Sequence, residues 1–347
     1  MCLLFYFLFS TDYNTTTGAL RMIPTITLNT TSKQSDAEEI NLLREACESV
    51  GFFYLYVQDD HLVELLPRVF QLSKQFFALP AEIKNKFSDH VLNRGYTGMQ
   101  EETLDPKHQS KGDTKEGYYL AEDIFKSDPR HDPNKLSGPN VYPKDVPVDE
   151  LDCELWQSTI MEYHEKMKQV SFQLIRMLAL ALDLPQSHFD GYFREPLAVL
   201  RLLHYSNEIS DVDHGIFACG AHSDYGMVTL LATDDQPGLQ IYHEGKWVDV
   251  PPPGFEGGKF VVNLGDMLER WTNGRFKSTL HRVILSSSEC AESKERYSIP
   301  FFYEPHFDTL VECLESCVGE EGIKYPPITS GKYLVGKYEE THADFKV

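Results

Sequence analysis

Between Leu197 and Tyr303 the apolar residues recur at every second position in short runs broken by turn residues, and that period confines this part of the chain to β structure. The runs are Val199 to Tyr205, Val228 to Thr233, Leu239 to Tyr242, Lys246 to Val250, Lys259 to Leu264, His281 to Leu285 and Tyr297 to Phe302. Asp235-Gln236-Pro237-Gly238 and Glu244-Gly245 supply hairpin turns. Short strands at this spacing predict a sandwich or jelly roll, so the fold expected is mainly β with flanking helices.

The flanks follow a different period. Ile23 to Leu28 alternates like a strand, and Ser35-Asp36 caps a helix carrying Ile40, Leu43, Ala46, Cys47 and Val50, which Gly51 stops. Phe52 to Val57 reads as a buried strand, Asp60 to Leu79 as an amphipathic helix closed by Pro80, and Pro80-Ala81-Glu82 as the start of a third, short helix. Residues 92 to 150 are rich in Gly, Pro, Asp and Lys and read as mainly loops with short extended pieces, walling or covering a site. Asp152 to Leu182 forms a long helix with the stripe Leu155, Ile160, Tyr163, Met167, Val170, Leu174, Met177, Leu178 and Ala181, and a last helix runs from about Ser330 to His342. The expected organisation is an extension over 1–22, an α/β region over 23–150, a helix plus jelly-roll core over 151–310 and a helical segment over 311–347.

Charge and cysteine content narrow the partners. Lys and Arg number 32 against 53 acids, a net charge of −21, and no basic run exists to track phosphates, so neither nucleic acid nor an anionic membrane is the expected partner. The seven cysteines include no CxxC pair and read as reduced thiols of a cytoplasmic protein. Met1 to Ser10 is apolar like part of a secretory signal, yet it lacks a basic n-region and falls short of a membrane span; the preferred reading is a loosely ordered extension. Asn14-Thr15-Thr16 and Asn29-Thr30-Thr31 fit the glycosylation pattern, which has no meaning in the cytosol. A monomer acting on a small-molecule substrate is expected.

The chemistry concentrates in His222-Ser223-Asp224 and in His281, 57 positions after Asp224. On an extended segment residues i and i+2 face one side, so His222 and Asp224 can reach one point while His281 arrives on another strand. Two imidazoles and a carboxylate on one face of a metal leave the opposite positions open, as non-haem Fe(II) requires for O2 and an organic cosubstrate. The same ligand types serve catalytic zinc, and HxD pairs also arise by chance among packed histidines. A second element, Arg296-Tyr297-Ser298, places a guanidinium and a hydroxyl on one face of a strand, a clamp for the distal carboxylate of a dicarboxylic acid. The plainer alternative is a surface arginine beside Glu292 or Glu295.

With these elements the chain resembles the 2-oxoglutarate and Fe(II)-dependent dioxygenase superfamily, in its isopenicillin N synthase-like branch, over nearly everything from Ile23 onward. The matching stretches include Gly51-Phe52-Phe53, Phe76-Phe77-Ala78-Leu79-Pro80, Ala221-His222-Ser223-Asp224-Tyr225-Gly226, Val262-Asn263-Leu264-Gly265-Asp266, Ser278-Thr279-Leu280-His281-Arg282-Val283 and Arg296-Tyr297-Ser298-Ile299-Pro300. The resemblance implies a double-stranded β-helix, iron on His222, Asp224 and His281, and 2-oxoglutarate gripped by Arg296 and Ser298 with the Tyr205 hydroxyl. It also implies O2 as oxidant, ascorbate as an optional reductant, and hydroxylation of a small organic substrate near Phe302 and Glu304, whose plainer readings are a core aromatic and an exposed acid. Leu203-His204-Tyr205 stands where the branch often has Asn-x-Tyr, so an amide that commonly helps hold the cosubstrate is absent. His204, His214, His243 and His306 have no motif partner and read as structural or exposed. Two rivals remain: an oxidase of the same fold that needs no 2-oxoglutarate, and a non-catalytic small-molecule receptor.

Overall fold

The structure is a computed structural model, and it describes residues 23–30, 36–255, 257–286 and 295–341. The proposed extension over 1–22, the signal-like start, Cys2 and Cys290, and the Glu292 neighbour of Arg296 lie outside the described residues.

Fifteen strands are present among these residues: β1 (Thr25–Asn29), β2 (Phe52–Gln58), β3 (Ser88–Asp89), β4 (Arg94–Thr97), β5 (Lys115–Leu120), β6 (Leu197–Tyr205), β7 (Cys219–His222), β8 (Val228–Thr233), β9 (Leu239–His243), β10 (Lys246–Asp249), β11 (Lys259–Leu264), β12 (His281–Val283), β13 (Arg296–Glu304), β14 (Leu310–Val311) and β15 (Ile328–Thr329). Nine form one sheet in the order β1-β2-β11-β8-β13-β6-β5-β4-β3, and four form a second in the order β10-β9-β12-β7. These two sheets are the jelly roll that the alternating runs predict. The turn between β9 and β10 puts Glu244 and Gly245 at φ 48° and 79°, the left-handed pair that a two-residue hairpin needs.

Alternation along β2 explains the burial of both faces of the large sheet. Phe53 and Leu55 join a core with Leu200, Leu230 and Val262, whereas Phe52 and Tyr54 face a second core with Tyr205, Ile241 and Val283. The first core is closed by helices α1 (Ala37–Ser49), α2 (Asp60–Phe77) and α4 (Cys153–Ala181), with the single turn α3 (Ala81–Lys84) following α2. Asp36 accepts the Glu38 N–H at 2.9 Å and Asp152 the Leu155 N–H at 3.0 Å, capping α1 and α4. Gly51 ends α1 at φ +69°, where a Cβ would meet the Lys277 carbonyl oxygen at 2.0 Å, so the strand β2 can start close against that loop only with glycine.

One expectation about these elements needs correction. Leu155 is 44% exposed; the inward residue of the first turn of α4 is its neighbour Trp156, fully buried, which shifts the start of the stripe by one position. β4 and β5 are short extended pieces of the kind expected within 92–150, and every residue of β5 is buried inside the nine-stranded sheet. β5 hides its identity because Lys115 and Glu116 are buried through ion pairs and not through apolarity: Glu116 takes Lys84 at 2.6 Å, His204 at 2.7 Å and the Tyr96 hydroxyl at 2.5 Å. His204, read as structural or exposed, is structural. The two remaining helices are α5 (Asp266–Trp271) and the C-terminal α6 (Ser330–Thr341).

Candidate metal centre and adjoining cavities

β7 and β12 are antiparallel neighbours, and their register sets His281 directly opposite His222, with ring centroids 4.3 Å apart. Asp224 follows β7 at the i+2 position. Its Oδ1 lies 3.7 Å from Nε2 of His222 and 3.7 Å from Nε2 of His281, and the three ligand atoms all lie within 4.8 Å of one another. With metal–ligand bonds of about 2 Å, one ion spans the two 3.7 Å separations.

The supporting contacts decide which atoms face that point. Nδ1–H of His222 donates to the Gly220 carbonyl at 2.8 Å, and Nδ1–H of His281 to the Thr279 carbonyl at 3.0 Å. Each Nε2 therefore keeps its lone pair toward the shared centre. Oδ2 of Asp224 accepts from Asn263 Nδ2 at 2.6 Å and from the Thr229 hydroxyl, which leaves Oδ1 as the outward lone pair. Burial alone raises the Asp224 carboxyl, but His281, His222 and those two hydrogen bonds outweigh it and hold the group below the usual carboxylate range. Burial, reinforced by His222, presses His281 down to about 4, so it is neutral at physiological pH.

Asn263 and Thr229 are functional residues that the sequence reading missed. The signal was present: Asn263 is the lone amide in the apolar run Phe260 to Leu264, and a buried polar group in such a strand requires a partner.

Arg296 and Ser298 share the inner face of β13, in the same cavity as His222, Asp224 and His281. Register pairs Arg296 with Tyr205 across β6, and the guanidinium sits 4.8 Å from that ring centroid. Arg296 is 1% exposed. Its Nε donates to the Gln236 carbonyl at 3.3 Å, yet Nη1 and the Ser298 hydroxyl are buried without a hydrogen-bond partner. Burial raises the Tyr205 phenol, which stays protonated. Leu203 lines this cavity too, presenting apolar surface where the branch often has an amide. The surface-arginine alternative for Arg296 is excluded by its burial.

A larger cavity of about 280 Å³ opens beside His222 and Asp224. Phe302 and Glu304 of β13 line it, with Arg201 from β6, Tyr225, and Leu334 and Tyr338 from α6. Glu304 is not an exposed acid: it is 4% exposed, and its carboxyl accepts the Met227 N–H at 2.5 Å. A Cβ on Gly226 would fall 1.6 Å from that carboxyl, so glycine makes the space for it. Burial pushes Glu304 up to about 8, so it holds a proton at neutral pH. His306 also lines this cavity, while His214 is exposed.

An Fe(II) ion and 2-oxoglutarate fit these residues on two grounds. The open His-Asp-His face is the donor set of a non-haem iron, and a buried guanidinium with an unpaired Nη1 beside an unpaired hydroxyl is the complement of a carboxylate.

Comparison with known proteins agrees. The profile of the 2OG-Fe(II) oxygenase superfamily matches residues 197–305, and that of the N-terminal region of non-haem dioxygenases in morphine synthesis matches residues 23–145. The chain is 37% identical over 322 residues to the 2-oxoglutarate-Fe(II) type oxidoreductase hxnY of Emericella nidulans, covering 90% of this chain and 87% of the relative. It is 36% identical to kihadalactone A synthase of Citrus sinensis, covering 87% and 88%. Among solved structures, a full-length Neurospora crassa protein in complex with alpha-KG and 5-formyluracil superposes with a TM-score of 0.75 at 28% identity, covering 92% of this chain and 96% of that one. The chain belongs to the 2OG-Fe(II) oxygenase superfamily, whose members use Fe(II), 2-oxoglutarate and O2, and it is a dioxygenase that couples oxidative decarboxylation of 2-oxoglutarate to oxidation of a small organic substrate.

Proposed function

We propose that His222, Asp224 and His281 hold the iron, that Arg296 and Ser298 with Tyr205 bind the distal carboxylate of 2-oxoglutarate, and that the 280 Å³ cavity bearing Phe302 and Glu304 receives a substrate that is hydroxylated. The observation that carries this reading is the unpaired Nη1 of Arg296 beside the unpaired Ser298 hydroxyl, in the cavity that also contains the His-Asp-His face. A buried guanidinium with no carboxylate in ion-pair contact among the described residues is costly, and a dicarboxylate removes the cost.

Bound iron supplies the O2 activation and hydrogen abstraction that no side chain can perform. The protein's own part is positional. Gly220 and Thr279 carbonyls fix both imidazole tautomers, Asn263 and Thr229 fix the carboxylate rotamer, and the Arg296 fork orients the cosubstrate. Phe52 packs edge-on against His281 at 5.5 Å and helps exclude water from that side. Five described cysteines are free, which supports a reducing, cytoplasmic setting, and the enzyme is read as a monomer.

Turnover of 2-oxoglutarate tests the reading. Wild type with Fe(II) should release succinate in proportion to O2 consumed, and Arg296→Ala should do so only at raised 2-oxoglutarate. Oxygen uptake without succinate would transfer the assignment to the cosubstrate-independent oxidase.

A further inference from the structure

Four cations line the 280 Å³ cavity: Arg94, Arg130, Lys135 and Arg201. Three are neutralised. Arg130 meets Glu122 at 2.7 Å and Asp128 at 2.8 Å, Lys135 meets Asp308 at 2.6 Å, and Arg201 meets Glu102 at 2.9 Å. Arg201 also belongs to a self-compensating cluster in which Lys115 contacts both Glu102, at 2.7 Å, and Asp113. Two cations there face two acids.

Arg94, at the start of β4, differs. It is 6% exposed, and among the described residues no carboxylate oxygen lies within 4.0 Å of its guanidinium. Nη1 donates to the Leu92 and Asn93 carbonyls at 3.0 and 3.2 Å, Nη2 to the Leu136 carbonyl at 2.8 Å, and Nε is buried with no partner. Carbonyl dipoles hold the side chain still without cancelling its charge. The acids in the neighbourhood are engaged elsewhere. Asp89 accepts the Val91 and Leu92 N–H groups, Asp123 the Asn140 N–H and the Tyr142 hydroxyl, and Glu304 the Met227 N–H. Burial lowers the Arg94 pKa to about 10, the direction expected of an undercompensated cation. Apolar side chains, Leu92, Leu104, Ile124, Leu136 and Leu334 among them, supply much of the remaining wall.

We propose that the substrate is an apolar organic carboxylate whose charged group docks on Arg94 while its hydrocarbon body fills the cavity. The inference rests on the assignment of this cavity to the substrate, and it narrows the substrate class to acids. A buried guanidinium without an ion-pair partner is retained at a cost to folding, and a carboxylate bound in the cavity restores the counter-charge.

The test uses the full chain with Fe(II) and 2-oxoglutarate and a panel of arylalkanoic and alicyclic carboxylic acids, each paired with its methyl ester and primary amide. Thermal shift and stimulation of succinate release are read for every pair. At least one acid should stabilise the protein and bind at least about tenfold more tightly than its ester or amide. Arg94→Gln should erase that preference by about ten- to a hundredfold, and Arg94→Lys should retain part of it, with Fe(II) titration confirming that each variant is folded. Should Arg94→Gln not fold, the acid against ester comparison in wild type and Arg94→Lys decides. Esters or amides that bind as well as acids, no acid that binds above its neutral partners, or a preference unchanged in Arg94→Gln would each overturn the proposal. A wild type that makes no succinate at all contradicts the proposed function instead, and thermal shift by the acids still reports on Arg94.

Discussion

The two ends of the inner cavity are built on opposite principles. At the His-Asp-His end, the Nδ1–H of each histidine and Oδ2 of Asp224 already have partners, and the atoms left over converge on one point. At the Arg296 end, register and burial position the guanidinium and the Ser298 hydroxyl, yet Nη1 and the hydroxyl have nothing to bond. Folding alone completes the first end. The second is completed only by a ligand, so the two should respond differently to mutation and to cosubstrate.

The largest effect belongs to the three ligands themselves. His222→Ala, Asp224→Ala and His281→Ala should each abolish Fe(II) or Mn(II) binding in calorimetry and all turnover, because an open three-ligand face cannot spare one member. Wild-type affinity in any two of them would break the account of that end.

Next comes the layer behind them. Asn263→Ala and Thr229→Val free the Asp224 rotamer and should weaken metal affinity about 10- to 100-fold while the 2-oxoglutarate KM measured at saturating metal moves little. If metal affinity is unchanged in the double variant, preorganisation of the carboxylate is not what distinguishes this end.

Arg296→Lys keeps the charge and loses the fork. It should raise the 2-oxoglutarate KM by about ten- to a hundredfold with a smaller effect on Fe(II) affinity, and the rise in Tm that 2-oxoglutarate gives wild type should shrink. Equal damage to both affinities would merge the two ends into one unit.

The smallest effect is a control outside both. His164 of α4 donates to the Ala198 carbonyl at 3.0 Å, and burial holds it near 4 in the folded state against an ordinary 6.5. The unfolded chain then binds a proton that the folded one refuses. This contribution is present above about pH 6.5 and is lost as pH falls toward 4, at up to ~1.4 kcal/mol per pH unit. His164→Asn should flatten the acid limb of urea stability without touching either binding constant.

Legibility in the sequence followed the same division. The i, i+2 spacing of His222 and Asp224 and of Arg296 and Ser298 was readable because strand geometry alone puts such pairs on one face. The runs over His281 to Leu285 and Tyr297 to Phe302 were readable as strands, whereas β7, which carries His222, was not among the predicted runs. What lay hidden was whatever is buried by pairing and not by apolarity: Lys115 and Glu116 in β5, Asn263 behind Asp224, and Arg94, whose three carbonyl partners come from loops distant from the metal ligands in sequence. The plainer reading of Glu304 as an exposed acid fails for the same reason, since its burial depends on the bare backbone of Gly226.

Anaerobic titration of the Fe(II)-loaded protein with 2-oxoglutarate, followed by its visible charge-transfer band, tests the central claim most directly. The account predicts a saturable band in wild type that survives in Arg296→Lys but requires a higher 2-oxoglutarate concentration. Full iron occupancy with no band at any concentration, or identical titrations in the two proteins, would contradict it.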